Sequence, residues 1–256
     1  MTTAPPSGRL HVLQAVEDGW TAFTKAPWQF VLFTLLVGLL SIIFQLIGNS
    51  ATGGSDNATV GVGGVFLTIV ALIGSYVVSL WGVTGMVRGS WIALNGDKPS
   101  FSDFSRWDGA AAGRLFVRWI ALGIIFLVIA LICAFVGFGL AQLNQVLLWI
   151  PAAVGLILFI YLTVNQKFLP YVALLERNGP FETIQRGRDV VDPSWWWVVL
   201  LLIVDAVIIV IGTILCGVGL LVAAPVVACI TTAAYRQLFG TTDHTGLIAV
   251  DDSATL

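Results

Sequence analysis

The stretch WWWVVLLLIVDAVIIVIGTILCGVGLLVAAPVVACITTAAYRQLFG, residues 195–240, decides the fold. Between Trp195 and Tyr235 its sole charged side chain is Asp205. Two apolar runs, Trp195 to Leu215 and Gly219 to Tyr235, flank the turn signal Gly217-Val218-Gly219. Each run is close to the roughly 20 residues that carry a helix across about 30 Å of hydrocarbon. The stretch therefore reads as a helical hairpin that crosses a bilayer and returns.

Upstream the pattern repeats. Trp28 to Gly48 pairs with Val62 to Met86, and Trp119 to Gly137 with Val146 to Gln166, all free of charge. The expectation is an all-α polytopic membrane protein with six transmembrane helices in three hairpins, residues 28–86, 119–166 and 195–235. These make one membrane domain over residues 1–240, followed by a polar, mobile tail at 241–256. With 58% hydrophobic and 10% charged residues the chain is too apolar for a soluble domain. The alternating ten-residue strands of a transmembrane barrel are missing.

Charge placement sets the expected topology. All twelve Lys and Arg residues fall before the first run, between the second and third, between the fourth and fifth, or after the sixth. Short basic loops stay cytoplasmic, which puts both termini inside a bacterial inner membrane. Bases gathered at one surface favour membrane lipids as partners, and nothing points to nucleic acid. The first run is longer than the core of a cleaved signal peptide and follows Glu17 and Asp18, so it reads as a retained helix. Asn57-Ala58-Thr59 forms a glycosylation sequon on the first outer loop.

An amphipathic segment introduces each hairpin. Leu10, Leu13, Val16, Trp20 and Phe23 form the first stripe, Phe101, Phe104 and Trp107 the second, and Phe181, Ile184 and Val191 the third. Such stripes suit helices lying in the inner headgroup layer, or packed on the inner ends of the bundle. Gly19 to Trp28 repeats the separation of Gly187 to Trp196. Pro99-Ser100-Phe101 with Asp103 reads as a capped helix start, and Asn178-Gly179-Pro180 places Pro in a first turn. Asn95-Gly96 and Asn178-Gly179 read as left-handed helix ends. Trp20, Trp28, Trp91, Trp107 and Trp195-Trp196-Trp197 mark the inner surface and Trp149 the outer one.

Asp205 is the one acid inside a span. A carboxylate at mid-bilayer costs about 2.5–3.5 kcal/mol on insertion scales, so it is expected to face the bundle in its protonated form. Folding the hairpin about Val218 brings it towards Cys229, on a stripe with Pro225, Thr232 and Arg236. Pro225 frees a backbone carbonyl, and Thr231 or Thr232 supplies a hydroxyl. This candidate buried polar site, Asp205 with Thr231, Thr232 and Pro225, is either a proton- or ligand-linked site or a helix-to-helix hydrogen bond. Ser75, Ser79, Gly82 and Gly89 share a face and read as helix packing. Asn165, Gln166 and Lys167 end the fourth run, with Lys167 able to snorkel. The remaining cytoplasmic acids read as charge balance. A disulfide between Cys133 and Cys216 is not favoured by any spacing. His11 and His244 lie outside the spans, which excludes paired axial haem ligands, and no metal, cofactor or catalytic motif is found.

CGVGLLVAAP from Cys216 to Pro225, AYRQLFG from Ala234 to Gly240, and the opening Gly19-Trp20, Phe23 and Pro27-Trp28 carry a resemblance. It is to a group of bacterial six-helix membrane proteins similar to the membrane domain fused to some glycerophosphodiester phosphodiesterases. The resemblance implies a membrane module without the soluble catalytic domain and transfers no catalytic residue. The expected function is a non-catalytic scaffold or a module that contacts lipids, a membrane-protein partner or further copies of itself. The alternatives are a small-solute or proton-linked transporter using Asp205, and a membrane-embedded lipid enzyme.

Overall fold

The computed structural model describes residues 10–52, 62–215 and 217–248, and among these no strand occurs. The elements in chain order are α1 (Val12–Lys25), α2 (Pro27–Thr52), α3 (Val62–Asn95), α4 (Phe101–Ser105), α5 (Gly109–Ala141), α6 (Trp149–Asn165), α7 (Leu169–Leu175), α8 (Pro180–Val191), α9 (Trp195–Ile214) and α10 (Leu220–Phe239). Six helical stretches are long and apolar enough to cross a membrane: Pro27–Ser50, Val62–Asn95, Gly109–Ala141, Gln145–Asn165, Pro180–Ile214 and Leu220–Phe239. That architecture fits a multi-pass membrane protein. The sequon at Asn57 and the thiol of Cys216 lie outside the described residues, and Cys133 carries a free thiol.

Two helices overrun the hydropathy reading. α3 continues to Asn95, and α5 begins at Gly109, ahead of Arg114 and Arg118. At about 1.5 Å per residue α3 is about 51 Å long, some 20 Å more than the hydrocarbon needs. The added turns are held by protein: Val87, Arg88, Ser90, Trp91 and Ala93 are buried on α3, and Ala111, Ala112, Leu115 and Arg118 on α5.

The described residues group into two compact units. One is drawn from Leu13–Ala112, Asp205–Ala233 and Leu247–Leu256. Within it α2 runs antiparallel along α3, small residue against large. The Phe44 ring lies over Gly74, Val37 over Gly82 and Phe33 over Gly85, and a Cβ on Gly48 would sit 3.3 Å from that of Ala71. The packed region is an aromatic cluster at the base-bearing end. Phe104 meets Phe30 edge-on at 4.8 Å between centroids and Phe33 at 5.4 Å, and Phe33 meets Trp81 at 5.0 Å. α1 crosses α10 at Gly19, where an added Cβ would lie 2.6 Å from backbone atoms of Ile230. Further along, Gly212 of α9 abuts Gly219 and Ala223 of α10.

The other unit is drawn from Met1–Val12, Gly113–Val204 and Ala234–Gly246. Here α5 and α6 run antiparallel, with Gly137 against Leu148 and Pro151, and Cys133 against Gly155. Its core is again at the base-bearing end: Leu115, Phe168, Val172 to Leu175, Val191, Val198 and Leu201 are buried. The seven-residue α7 has no polar face and is almost wholly enclosed. Tyr235 stacks on Phe239 at 4.8 Å and on Tyr171 at 5.5 Å.

Three expectations are corrected. On α1 the packed stripe is Val12, Ala15, Gly19, Ala22, Phe23 and Ala26, while Leu13 is 86% exposed and Trp20 53%. On α8 it is Thr183, Gly187 and Val191, while Phe181 is exposed. Both helices turn small residues to protein, because close backbone approach selects them, with Leu13, Trp20 and Phe181 left outside. Gly96 takes a left-handed φ of +109° as expected, but Gly179 has φ −66° and ψ 167° and begins α8 instead of ending α7. Finally, residues 241–248 are tied down. His244 N donates to Leu175 O at 2.9 Å and Thr245 Oγ1 to Leu174 O at 2.6 Å, which satisfies the last carbonyls of α7. Leu247 is 1% exposed.

Burial along the spans is uneven. Between 6% and 22% of the most apolar window is enclosed in five of them, against 56% in Leu220–Phe239.

Candidate functional site

Asp205, ten residues into α9, is 5% exposed. Thr231 Oγ1 of α10 donates to its Oδ2 at 3.5 Å, longer than the 2.5–3.0 Å of a strong O–H···O bond. Thr232 and Pro225 are buried on α10 as well, but the Thr232 hydroxyl donates to Ala228 O of its own helix at 2.7 Å. Cys229 Sγ pairs with Ser90 Oγ of α3 at 3.5 Å. The structure thus joins Asp205 to Thr231. Of the four expected packing residues, Gly82 and Gly89 lie at contacts, with Phe104 filling the space over Gly89. Ser75 is half-buried and Ser79 exposed. The face that packs is Ala71, Gly74, Val78, Gly82, Gly85 and Gly89, one residue round the helix from the serines.

The larger polar arrangements stand at the base-bearing ends, and two buried arginines build them. Arg88 is 1% exposed. Its Nη1 donates to Asp103 O at 3.1 Å and Arg106 O at 2.9 Å, closing the carbonyl end of α4. Its Nε donates to Leu247 O at 3.1 Å, and Arg106 Nη2 reaches the same oxygen at 3.3 Å. Arg88 Nη2 is buried without a hydrogen-bond partner. In the other unit Arg118 is also buried. Its Nε donates to Thr183 Oγ1 at 3.1 Å, Nη1 to Arg114 O at 2.9 Å, and Nη2 to Asn178 O. Both guanidiniums serve backbone carbonyls and a hydroxyl, which is what holds the short inner segments to the long helices.

Sequence reasoning missed a network around Asp192. Tyr161 Oη donates to its Oδ1 and Oδ2 at 2.9 and 3.1 Å, Asn165 Nδ2 to Oδ1 at 2.9 Å, and Arg188 Nε to Oδ2 at 3.4 Å. Gln166 Nε2 donates to Ile184 O at 3.0 Å, and Gly187 lies against Asn165 O. The signal was the pair Asn165-Gln166 at a span end, read without its partner 27 residues on.

The acids at the base-bearing ends do something more specific than balancing charge. Asp103 Oδ2 accepts from Ser100 N at 2.8 Å and Ser100 Oγ at 2.7 Å. Glu182 Oε2 accepts from Gly179 N at 2.8 Å, Asp108 Oδ1 from Ala111 N at 2.9 Å, and Asp243 Oδ1 from Thr245 N at 2.8 Å. They close helix starts and turns. Ion pairing is represented by Arg186 with Glu176 at 3.7 Å and Arg188 with Asp192 at 3.4 Å.

Among the described residues no group of three or more His, Cys, Asp or Glu side chains is drawn together as metal ligands would be. Known protein families, curated proteins and solved structures were compared with the chain, and none matches. Chemically, the arrangement offers one buried acid with a hydroxyl on α9 and α10, and guanidinium-centred clusters at the base-bearing ends.

Proposed function

We propose that this protein is a non-catalytic, multi-pass protein of a bacterial inner membrane, three hairpins with both termini cytoplasmic, which uses its base-bearing end as a platform for lipid headgroups or a membrane-protein partner. One observation carries the reading. Small residues pack α1 and α8 on protein, and Leu13, Trp20, Trp28 and Trp107 in one unit, and Phe181 and Trp196 in the other, are left exposed at the base-bearing end of each. Exposed amphipathic rings beside Lys and Arg suit the headgroup layer. The absence of Lys and Arg from the outer connections supports the topology. The same features are in keeping with the six-helix membrane domain found beside glycerophosphodiester phosphodiesterases.

A proton- or solute-linked carrier is the second reading, supported by burial of Asp205 beside Thr231. Two measurements test the first reading. Reporter fusions at Ser55, Gln142 and Val218 are expected to read external, and those at Asp97, Gly179 and Ser253 internal. With other Trp residues replaced, Trp20 and Trp107 fluorescence is expected to be quenched by headgroup-level lipid quenchers. Efficient quenching by aqueous iodide alone rejects the platform, and inverted signals at two fusion sites reject the topology.

A further inference from the structure

Arg114 and Arg118 stand one turn apart on α5, and Arg118 Nη1 donates to Arg114 O at 2.9 Å. Arg118 is 5% exposed, and its nitrogens are directed to Arg114 O, Asn178 O and Thr183 Oγ1, none of them charged. Among the described residues the charged group that bears on it is Arg114, a second cation. Neither arginine has an ion pair among those residues. The acids of the adjoining segment are turned elsewhere, Glu176 to Asn178 Nδ2 and Arg186, and Glu182 to Gly179 N. Buried charges are ordinarily paired, and two like charges away from water repel. Among the described residues this pair lacks a countercharge.

Further observations say what supplies it. Arg114 is half-buried and loosely held. Its Nη2 reaches Leu174 O at 3.4 Å, an oxygen already taken by Thr245 Oγ1 at 2.6 Å, and its Nε is enclosed without a hydrogen-bond partner. Beside it on α5 the exposed apolar side chains of Val117, Ile120, Ile124 and Leu127 form a stripe that runs from the base-bearing end into the span. The exposed Phe181 lies in the chain between Asn178 and Thr183, the two residues of α8 and its approach that Arg118 holds. An anion at Arg114 thus stands where headgroups meet aromatic rings, with an apolar face leading away from it for acyl chains.

We propose that Arg114, backed by Arg118, is a binding site for the phosphate group of an anionic membrane phospholipid. Arg114 offers a guanidinium fork to two phosphate oxygens, while Arg118 keeps its carbonyls and acts through its charge. A zwitterionic headgroup brings its own cation and leaves the arginine pair uncompensated, so the site selects headgroups of net negative charge. The proposal rests on the platform reading and sharpens it, from headgroups in general to one class at one place.

The test uses the full chain, in detergent and in phosphatidylcholine nanodiscs with phosphatidylglycerol or without it. Phosphatidylglycerol is expected to slow amide exchange over residues 176–184 of the wild type at least three-fold, a result that needs no variant to fold. By native mass spectrometry the wild type is expected to bind phosphatidylglycerol at least five-fold more tightly than phosphatidylcholine. Arg114→Gln is expected to lose that preference and Arg114→Lys to keep most of it. Arg186→Gln removes the same charge from an arginine already paired with Glu176, and is expected to leave the preference within two-fold. Wild-type exchange indifferent to phosphatidylglycerol, a preference that survives Arg114→Gln, or an equal loss in Arg186→Gln each overturns the proposal. Inorganic phosphate against chloride at equal ionic strength is the remaining probe, and slowing by it alone makes the ligand a soluble anion and overturns the lipid assignment. Headgroup-level quenching of Trp20 and Trp107 is read in the same nanodiscs. If it persists while phosphatidylglycerol has no effect, the platform stands and this site falls; if it fails while the Arg114-dependent preference holds, the platform alone is rejected.

Discussion

Phe104 is the most exacting test of how the inner segments attach. Its ring is fully buried, edge-on to Phe30 and beside Phe33, and fills the space over Gly89 of α3. Removing a buried Phe ring costs about 3–5 kcal/mol where the site cannot collapse, so Phe104→Ala is expected in that range. If α4 merely rested on the surface, the loss would stay within about 0.5 kcal/mol. Gly89→Ala supplies the converse. A Cβ there enters the Phe104 ring, so overpacking of about 1–3 kcal/mol is expected in the wild type. In the Phe104→Ala background the ring is gone, and the substitution should instead stabilise by about 0.5–1 kcal/mol, the ordinary preference of a helix for Ala over Gly. The sign reverses. Reversible unfolding of the four proteins in mixed detergent, followed by circular dichroism, measures it. Effects of Gly89→Ala that agree within about 0.5 kcal/mol in the two backgrounds would refute the packing.

Asp205→Asn is expected to retain most of the stability and Asp205→Leu to lose about 1–2 kcal/mol, the range of interhelical hydrogen bonds in membranes. Thr231→Val should couple to Asp205 by no more than about 0.6 kcal/mol, because the bond is long; a coupling several times larger would contradict the geometry. If the carrier reading holds, Asp205→Asn abolishes proton uptake in proteoliposomes while the fold persists, whereas a wild type without flux excludes that reading. Arg118→Met is expected to cost about 1–3 kcal/mol by stranding the Asn178 carbonyl, whereas the Thr183 hydroxyl keeps Gly179 O as its acceptor. Thermal unfolding in detergent checks this, and a neutral substitution would show that bond to be unimportant.

The six spans were legible because lipid leaves a helix few alternatives: a charge-free apolar run of the right length has to cross. Their inner ends were not, since Arg88 and Arg118 look like boundaries by hydropathy and are in fact interior. An arginine can be buried when backbone carbonyls wait for it, and that requires knowing which short segment folds back. The same limitation left α1 and α8 open between the headgroup layer and the bundle ends. A stripe of Leu, Val and Trp at helical spacing suits either, and where two backbones touch it is Gly19 and Gly187 that decide. Their matched positions before Trp28 and Trp196 were visible in the sequence, though not what they meant. Asp205 was read as buried beside Thr231 or Thr232, and it is Thr231 whose hydroxyl donates to its carboxyl group, while that of Thr232 turns to Ala228 O.

Within each unit, tight packing gathers at the base-bearing end while most of the apolar length beyond it touches little protein. Hydrophobic mismatch then acts mainly on the loosely held lengths. In a thinner bilayer α2, α5, α6 and α9 tilt or splay about ends that the aromatic clusters and arginines hold fixed, at fractions of a kcal/mol per Å. Bilayer thickness is thereby uncoupled from the geometry of the clustered end of each unit, which stays the same in membranes of different composition.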